Sequence, residues 1–250
     1  MNKSQQSALT ITGLCYSYSP EIQALKNIDL DIAIGERVGV IGPNGAGKTT
    51  LFLAACGILK PDSGRIILSG KPVLKGRFNP EAALVFQKPD DQLFCPSVWD
   101  DVAFGPINMG LDKNEVEKRV NKALLEVGGL DLAPRHIHHL SEGEKRVVSI
   151  AGALAMEPGL IIYDEPSAAL DMRSRRRLIS ILKKSFQTVI IASHDLELIL
   201  EVCTRVIIMD KGMIMTEGDP VKIMGNEELM LAHGQEKPHS LIPHEVSHKH

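Results

Sequence analysis

The run Gly42-Pro43-Asn44-Gly45-Ala46-Gly47-Lys48-Thr49-Thr50 follows the β-branched stretch Arg37 to Ile41 and opens a helical stretch, Lys48 to Gly57. A strand, a glycine-rich turn and a helix in that order leave few folds open to the chain. Gly42, Gly45 and Gly47 allow backbone amides to close around phosphate oxygens that a side chain would block. The helix N-terminus adds about half a positive charge facing such an anion. Lys48 is placed to reach β- and γ-phosphates, and the Thr49 hydroxyl to ligate Mg²⁺. Thr50 supports the phosphates as the next helical residue. A plain glycine-rich turn would not demand the whole pattern.

A second segment, LIIYDEP (Leu160 to Pro166), supplies the complement. An apolar strand ends in Asp164, which can hold Mg²⁺ through water. Glu165 beside it can polarise an attacking water, because a carboxylate near metal and phosphate can accept a proton and orient a nucleophile without covalent chemistry. The competing reading is a surface acidic pair. The strand ahead, wholly apolar in character, argues against it.

Short β-branched runs recur at Ile28 to Ile34, Arg37 to Ile41, Arg65 to Leu68, Ala83 to Phe86, Leu160 to Tyr163, Thr188 to Ala192 and Arg205 to Met209. Helical stretches fall at Lys48 to Gly57, Lys113 to Val127, Glu144 to Met156, Met172 to Ser185 and Leu196 to Val202. Continuous apolar runs such as Leu160-Ile161-Ile162 suit central parallel strands buried on both faces. The alternation predicts an α/β sheet, with an antiparallel N-terminal portion from the closely spaced early strands. Between Gln87 and His139 strand-like runs disappear, and Val116, Val120 and Leu124 form an i, i+4, i+8 stripe. That segment reads as a helical lobe inserted into the sheet domain. There is no internal repeat.

With 250 residues, 44% hydrophobic and 24% charged, the chain can bury a substantial core. A net charge of −3 and a pI near 6.3 give no broad basic field, so nucleic acid is not expected as a principal partner. Cys15, Cys56, Cys95 and Cys203 are scattered, without a CxxC pair, and read as small buried hydrophobes in a reducing compartment. The N-terminal MNKSQQSALT lacks the apolar core of a signal peptide. No apolar run approaches the roughly 18 to 20 residues needed to span a bilayer.

Leu140-Ser141-Glu142-Gly143-Glu144 lies about twenty residues ahead of LIIYDEP. This serine-glycine turn, together with GPNGAGKT, resembles the ATPase subunit of an ATP-binding cassette (ABC) transporter, from about Leu9 to about Met224. The resemblance implies a P-loop nucleoside triphosphate hydrolase core with an antiparallel N-terminal β portion and an inserted helical subdomain. It also implies that two subunits sandwich ATP, the serine-glycine turn of one facing the phosphate loop of the other. Ser141 and the Gly143 backbone would then donate to γ-phosphate. The family pattern is LSGGQ, so Glu142 and Glu144 are departures; an added anion near ATP would weaken closure unless it points away, toward Lys145 or Arg146. By the same resemblance Gln87 touches Mg²⁺ and the attacking water, and SAALD (Ser167 to Asp171) is the loop where subunits meet. His194 is the switch that contacts γ-phosphate and orders Glu165, and Tyr18 is the aromatic that stacks on adenine. Tyr16, two residues away on the same strand face, competes with Tyr18 for that role.

The segment VFQKPDDQLFCPSVWDDVAFGPINMGL, Val85 to Leu111, resembles the energy-coupling-factor group of ABC importers. HLSEGEKRVVSIAGALAM, His139 to Met156, is similar to that group's cobalt and nickel members. In this group a membrane coupling subunit inserts helices into a groove on the helical lobe. Leu93, Phe94, Val98, Trp99, Val102 and Phe104 are candidates for lining it, with packing of the lobe's own core as the competing reading for each. Five of the nine histidines, His233, His239, His244, His248 and His250, fall in a polar, proline-punctuated end. Neutral imidazole suits Co²⁺ or Ni²⁺, while incidental histidines in a solvated tail fit equally well. His136, His138 and His139 are expected to be structural or solvent-facing.

The sequence thus predicts an ATPase domain over residues 1–232, its helical subdomain at 87–145, and a flexible tail at 233–250; if the tail only handles metal, truncation after Met230 leaves ATP turnover intact. ATP and Mg²⁺ are the expected cofactors. The expected partners are a second ATPase subunit, identical or not, a transmembrane coupling subunit near Leu93 to Phe104, and indirectly a substrate-binding membrane subunit. The expected location is peripheral, on the cytoplasmic face of the cell membrane. Cobalt or nickel uptake is the expected function, with a vitamin-importing machine of the same type or a non-transport ATPase as alternatives.

Overall fold

The computed structural model describes residues 6–242. Its centre is a six-stranded sheet built from β3 (Arg37–Ile41), β6 (Ala82–Val85), β7 (Leu160–Asp164), β8 (Thr188–Ala192), β9 (Arg205–Asp210) and β10 (Met213–Gly218), in the order β10-β9-β3-β8-β7-β6. All neighbours are parallel except the β9–β10 edge pair. A second, antiparallel sheet joins β1 (Ser7–Ser19), β2 (Ile22–Ala33), β4 (Ser63–Leu68) and β5 (Lys71–Pro72) in the order β2-β1-β4-β5.

The apolar runs are explained by the two cores they separate. Ile161, Tyr163, Val189, Ile191, Val206 and Ile208 face one core. Their alternates Leu160, Ile162, Ile190, Ala192, Ile207 and Met209 face the other, beneath the antiparallel sheet and α1 (Lys48–Ala55). A strand buried on both faces must be apolar at every position. The early β1 strand, by contrast, alternates buried Leu9 and Ile11 with partly exposed Thr10 and exposed Thr12. Its polar half hid it from the apolar-run reading, and the two-residue β5 and the half-exposed β10 (MIMTEG) escaped it too.

The helical lobe is present. α2 (Val98–Asn108) and α3 (Lys113–Glu126) pack with α4 (Glu142–Ala155). Val116, Val120 and Leu124 are buried as the stripe predicts, each worth roughly 1.5–3 kcal/mol for full burial. Asp112 begins α3 by accepting from the Asn114 and Glu115 amides. The expected lobe boundary at 145 falls inside α4. This helix starts at Glu142, packs on both β6 and the other lobe helices, and shares one core with the sheet. The lobe is therefore an extension of the sheet domain's core.

Beyond β7 come α5 (Met172–Lys184), α6 (Leu196–Val202), α7 (Pro220–Gly225) and α8 (Glu227–Ala232). The expectation of a free tail from residue 233 needs correction. Gln235 is buried, Leu241 packs on the main core, and His233 Nδ1 lies 3.2 Å from Asp210 Oδ2. The Ser240 amide and hydroxyl both donate to Glu197, at 2.9 and 2.7 Å. Residues 233–242 thus form a strap over α6; His244, His248 and His250 lie outside the described residues. Among the described residues no helix is long and apolar enough to cross a membrane. All four cysteines are free thiols.

Candidate active site

Parallel strands bring their C-terminal ends to one edge of a sheet, and ligands of such sheets bind there. Here Asp164 is in register with Ala192, and Ala192 with Val40. Loops leaving β3, β7 and β8 therefore converge, and the loop leaving β6 joins them. Between these loops lies a cavity of about 500 Å³, lined by Asn44 to Thr50, Asp164, Glu165, His194 and Gln87. Four segments up to 150 residues apart in sequence meet at one point.

The phosphate loop needs its glycines sterically. A Cβ on Gly42 (φ +147°) would sit 2.0 Å from the Met209 carbonyl oxygen, and one on Gly47 (φ +101°) 2.7 Å from that of Ala24. The Lys48 ammonium donates to the loop's own Gly42 and Pro43 carbonyls, at 2.6 and 3.1 Å. Burial pulls its pKa down, while Glu165 and Asp164 oppose that shift. Lys48 thus points into the loop's interior, where phosphate oxygens would compete for it. Gly42 and Pro43 lie behind the cavity wall and act through these carbonyls.

Asp164 is buried, and burial raises its carboxyl pKa against the hydrogen bond from Thr49 and the Lys48 charge. The Thr49 hydroxyl donates to its Oδ2 at 2.7 Å. Oxygen donors from Thr49, Asp164 and the exposed Gln87 suit a hard cation such as Mg²⁺, which keeps waters and shares phosphate oxygens instead of needing an all-protein cage. No cluster of three or more His, Cys, Asp or Glu able to hold a metal alone occurs among the described residues. The residues present fit Mg²⁺ bound together with phosphate.

Glu165 has a left-handed backbone, φ +49°, a conformation costly for a non-glycine residue and concentrated at functional sites. Its Oε2 accepts from the His194 amide at 3.0 Å. Its Oε1 is buried without a hydrogen-bond partner, the His194 ring being too far away at 3.6 Å. His194 Nε2 instead contacts Asn44 Oδ1 at 3.0 Å. The following residue, Asp195, is gripped in fork geometry by Arg175 and caps α6 through the Leu198 amide. Burial pushes its carboxyl pKa up, but these bonds hold it below the ordinary value.

Tyr18 is exposed at the cavity wall, whereas Tyr16 packs against the second core. The two rings meet edge to face at 5.0 Å, and the Tyr18 hydroxyl is 3.1 Å from Thr50 Oγ1. Thr50 therefore braces Tyr18 from a buried position. Ile22, Gln23 and Ala24 also line the cavity. Sequence reasoning missed them because only the β1–β2 hairpin carries them there, and no motif marks a hairpin's far arm.

Ser141 and Gly143 do not line this cavity. Ser141 caps α4 in a capping box, its Oγ accepting from the Glu144 amide while Glu144 Oε2 receives the Ser141 amide at 2.8 Å. Glu142 turns to Lys145, 3.1 Å away, as the departure from LSGGQ requires. Glu144 is held by Ser141 and Arg135, and the Ser141 bonds lower its carboxyl pKa. A Cβ on Gly143 would lie 2.5 Å from Ser174 Oγ, so a side chain there would have to displace the serine hydroxyl. Asp171 caps α5 through the Ser174 amide. His136 and His139 stack edge to face at the surface.

The groove candidates divide. Leu93, Val98 and Val102 are buried in the lobe's core and Trp99 packs against it, because α2 turns that side inward. Phe94 and Phe104 are exposed and meet edge to face at 4.7 Å, with exposed Ile107 on the same helix as Phe104.

Comparison with known proteins adds the decisive observation. The model of the ABC transporter family matches residues 25–168, more than half of the chain. The chain belongs to the ABC transporter family. It is 50% identical to a putative ABC transporter ATP-binding protein of Synechocystis over 94% of this chain and 82% of that one. It is 44% identical to the energy-coupling factor transporter ATP-binding protein EcfA of Methanothermobacter thermautotrophicus over 89% and 74% of the two chains. Among solved structures, cbiO1 of Clostridium perfringens, part of the ABC transporter complex cbiONQ, superposes with a TM-score of 0.80, at 39% identity, over 91% of this chain and 94% of that one. The protein is accordingly an ATP-binding ABC ATPase, the nucleotide-hydrolysing subunit type of a transporter.

Proposed function

We propose that this chain hydrolyses ATP to energise an importer of the energy-coupling-factor type, with cobalt or nickel ions as cargo. It works on the cytoplasmic face of the cell membrane, paired head to tail with a second ABC ATPase subunit. The observation that carries this reading is the exposed Phe94–Phe104 ring pair with Ile107. Exposed aromatic rings clustered with a further apolar side chain support a surface that another protein covers. Their position in the PDDQLF-to-FGP segment suits the helices of a membrane coupling subunit, which in turn contacts the substrate-binding membrane subunit. The similarity of His139 to Met156 to cobalt and nickel members favours metal cargo.

In this reading Tyr18 stacks on adenine, while the loop amides from Asn44 to Thr49 and the Lys48 ammonium hold the phosphates. Thr49, Asp164 and Gln87 would hold Mg²⁺, which supplies charge compensation on the phosphate oxygens when bound. Glu165 accepts hydrogen bonding from the attacking water through its free oxygen, and His194 leaves Asn44 to reach γ-phosphate. Ser141 and Gly143, remote from their own cavity, serve the neighbour's nucleotide. Catalysis is then positioning and electrostatics.

The test is radiolabelled cobalt and nickel uptake in cells expressing this chain with its neighbouring membrane subunits. Lys48→Ala should abolish uptake of one metal while leaving assembly intact. Uptake that persists undiminished in Lys48→Ala, or wild-type membranes that import neither metal, would sink the proposal.

A further inference from the structure

Arg146 is almost fully buried, 2% exposed, and pairs with no carboxylate among the described residues. Burial pulls its pKa down, and the nearby Glu142 charge opposes that only in part. Filling this place with an apolar side chain would avoid the desolvation altogether. What the guanidinium touches is backbone: it donates to the Phe86 carbonyl at 2.5 Å and to the Gln87 carbonyl. These are the first residues after β6 ends at Val85. Two further ties bind this segment to α4. Gln92 accepts from the Phe86 amide at 3.2 Å and donates to the Ser149 carbonyl at 2.9 Å. Lys145 bridges Asp90 at 2.8 Å and Glu142 at 3.1 Å. Segment 86–92 is thus riveted along the same helix that Ser141 caps.

We propose that Arg146 is a positioning residue that joins the two nucleotide sites of the paired enzyme, locking the Gln87 backbone to the helix whose first turn carries Ser141. This rests on the reading that Gln87 serves the chain's own Mg²⁺–ATP and Ser141 the neighbour's. Ser141 caps and Arg146 lies on one uninterrupted helix, α4, so a shift of its first turn is passed along the helix axis to Arg146. When Ser141 is drawn onto the neighbour's phosphate, Arg146, just over one turn along α4, carries the Gln87 peptide with it. The planar fork of arginine fixes two successive carbonyls at once, which a lysine ammonium cannot do. Each site then senses occupancy of the other, and closure of one prepares Gln87 in the next.

The experiment compares full-length wild type, Arg146→Met, Arg146→Lys and Gln87→Ala. It reads binding of a fluorescent ATP analogue with Mg²⁺ and with EDTA, and the ATP dependence of hydrolysis. Arg146→Met should lose about tenfold of the Mg²⁺-dependent gain in affinity, as supporting residues of metal sites do. Its affinity in EDTA should stay within about twofold, since the phosphate loop is untouched. The wild-type rate should rise sigmoidally with ATP and the variant's hyperbolically, with Arg146→Lys between them. If Gln87→Ala loses the Mg²⁺ gain and Arg146→Met keeps it, the link is overturned while the reading of Gln87 stands. If Gln87→Ala keeps the gain, that reading fails and the proposal falls with it. Should Arg146→Met fail to fold, Arg146→Lys decides: a full gain and unchanged sigmoidicity would overturn the link.

Discussion

At the scale of single residues, the chemistry was legible wherever the backbone itself is constrained. The glycines at 42 and 47 have neighbouring carbonyls inside the space of a Cβ, and a motif that tolerates no side chain leaves a fixed trace in sequence. Ile22, Gln23 and Ala24 were not legible, because they meet the cavity only through hairpin pairing. The same geometry sets the two tyrosines apart. Tyr16 is committed to the core and Tyr18 is free to present its face, braced by Tyr16 and Thr50. Tyr18→Ala should therefore raise KM for ATP about tenfold, the worth of one base–aromatic stack. Tyr18→Phe, which keeps the face and loses the Thr50 contact, should stay within about threefold. Steady-state kinetics of the two variants checks this, and equal effects from both would show that the ring does not carry base binding.

At the scale of elements, helix starts carry more than helix bodies. Periodicity places the beginning of α4 at Glu144, whereas the capping box begins it at Glu142 with Ser141 outside. Apolar periodicity cannot see a first turn made of Glu142, Gly143 and Glu144; the spacing of Ser141 and Glu144 can. The helix and the turn that resembles LSGGQ are one object, so Ser141 has both a structural and a binding role. Ser141→Ala should cost about 1 kcal/mol of stability through the lost cap. It should also abolish ATP-dependent pairing, whereas Ser141→Thr, which keeps the hydroxyl, should retain both. Thermal melting and sedimentation with ATP separate the two roles, and a Ser141→Ala protein that still pairs would remove Ser141 from the neighbour's site.

At the scale of the whole molecule, the central sheet was readable because its strands are buried on both faces, and the lobe because Val116, Val120 and Leu124 share one face. Residues 233–242 depart from the sequence expectation. Histidine, proline and polar residues suggested a free tail, yet Leu241, Gln235, His233 and Ser240 are bound to the core, to Asp210 and to Glu197. Such contacts depend on isolated residues finding pockets, which leaves no periodicity. Truncation after Met230, expected from sequence to leave ATP turnover intact, should lower the melting temperature, by several degrees for each kcal/mol lost. An unchanged melting curve would show that the strap is not held in solution.

The central claim is that two subunits close around shared nucleotide because each cavity lacks the donors of Ser141 and Gly143, which do not line it. Glu165→Gln keeps the contacts to phosphate and removes the carboxylate that polarises water, so it should hold the closed state. The direct measurement is the mass of Glu165→Gln by sedimentation, with and without ATP and Mg²⁺, under conditions in which the wild type turns over ATP. The account predicts a 27.3 kDa monomer without ATP and a stable dimer with it. A Glu165→Gln protein that binds ATP and remains monomeric would contradict the account.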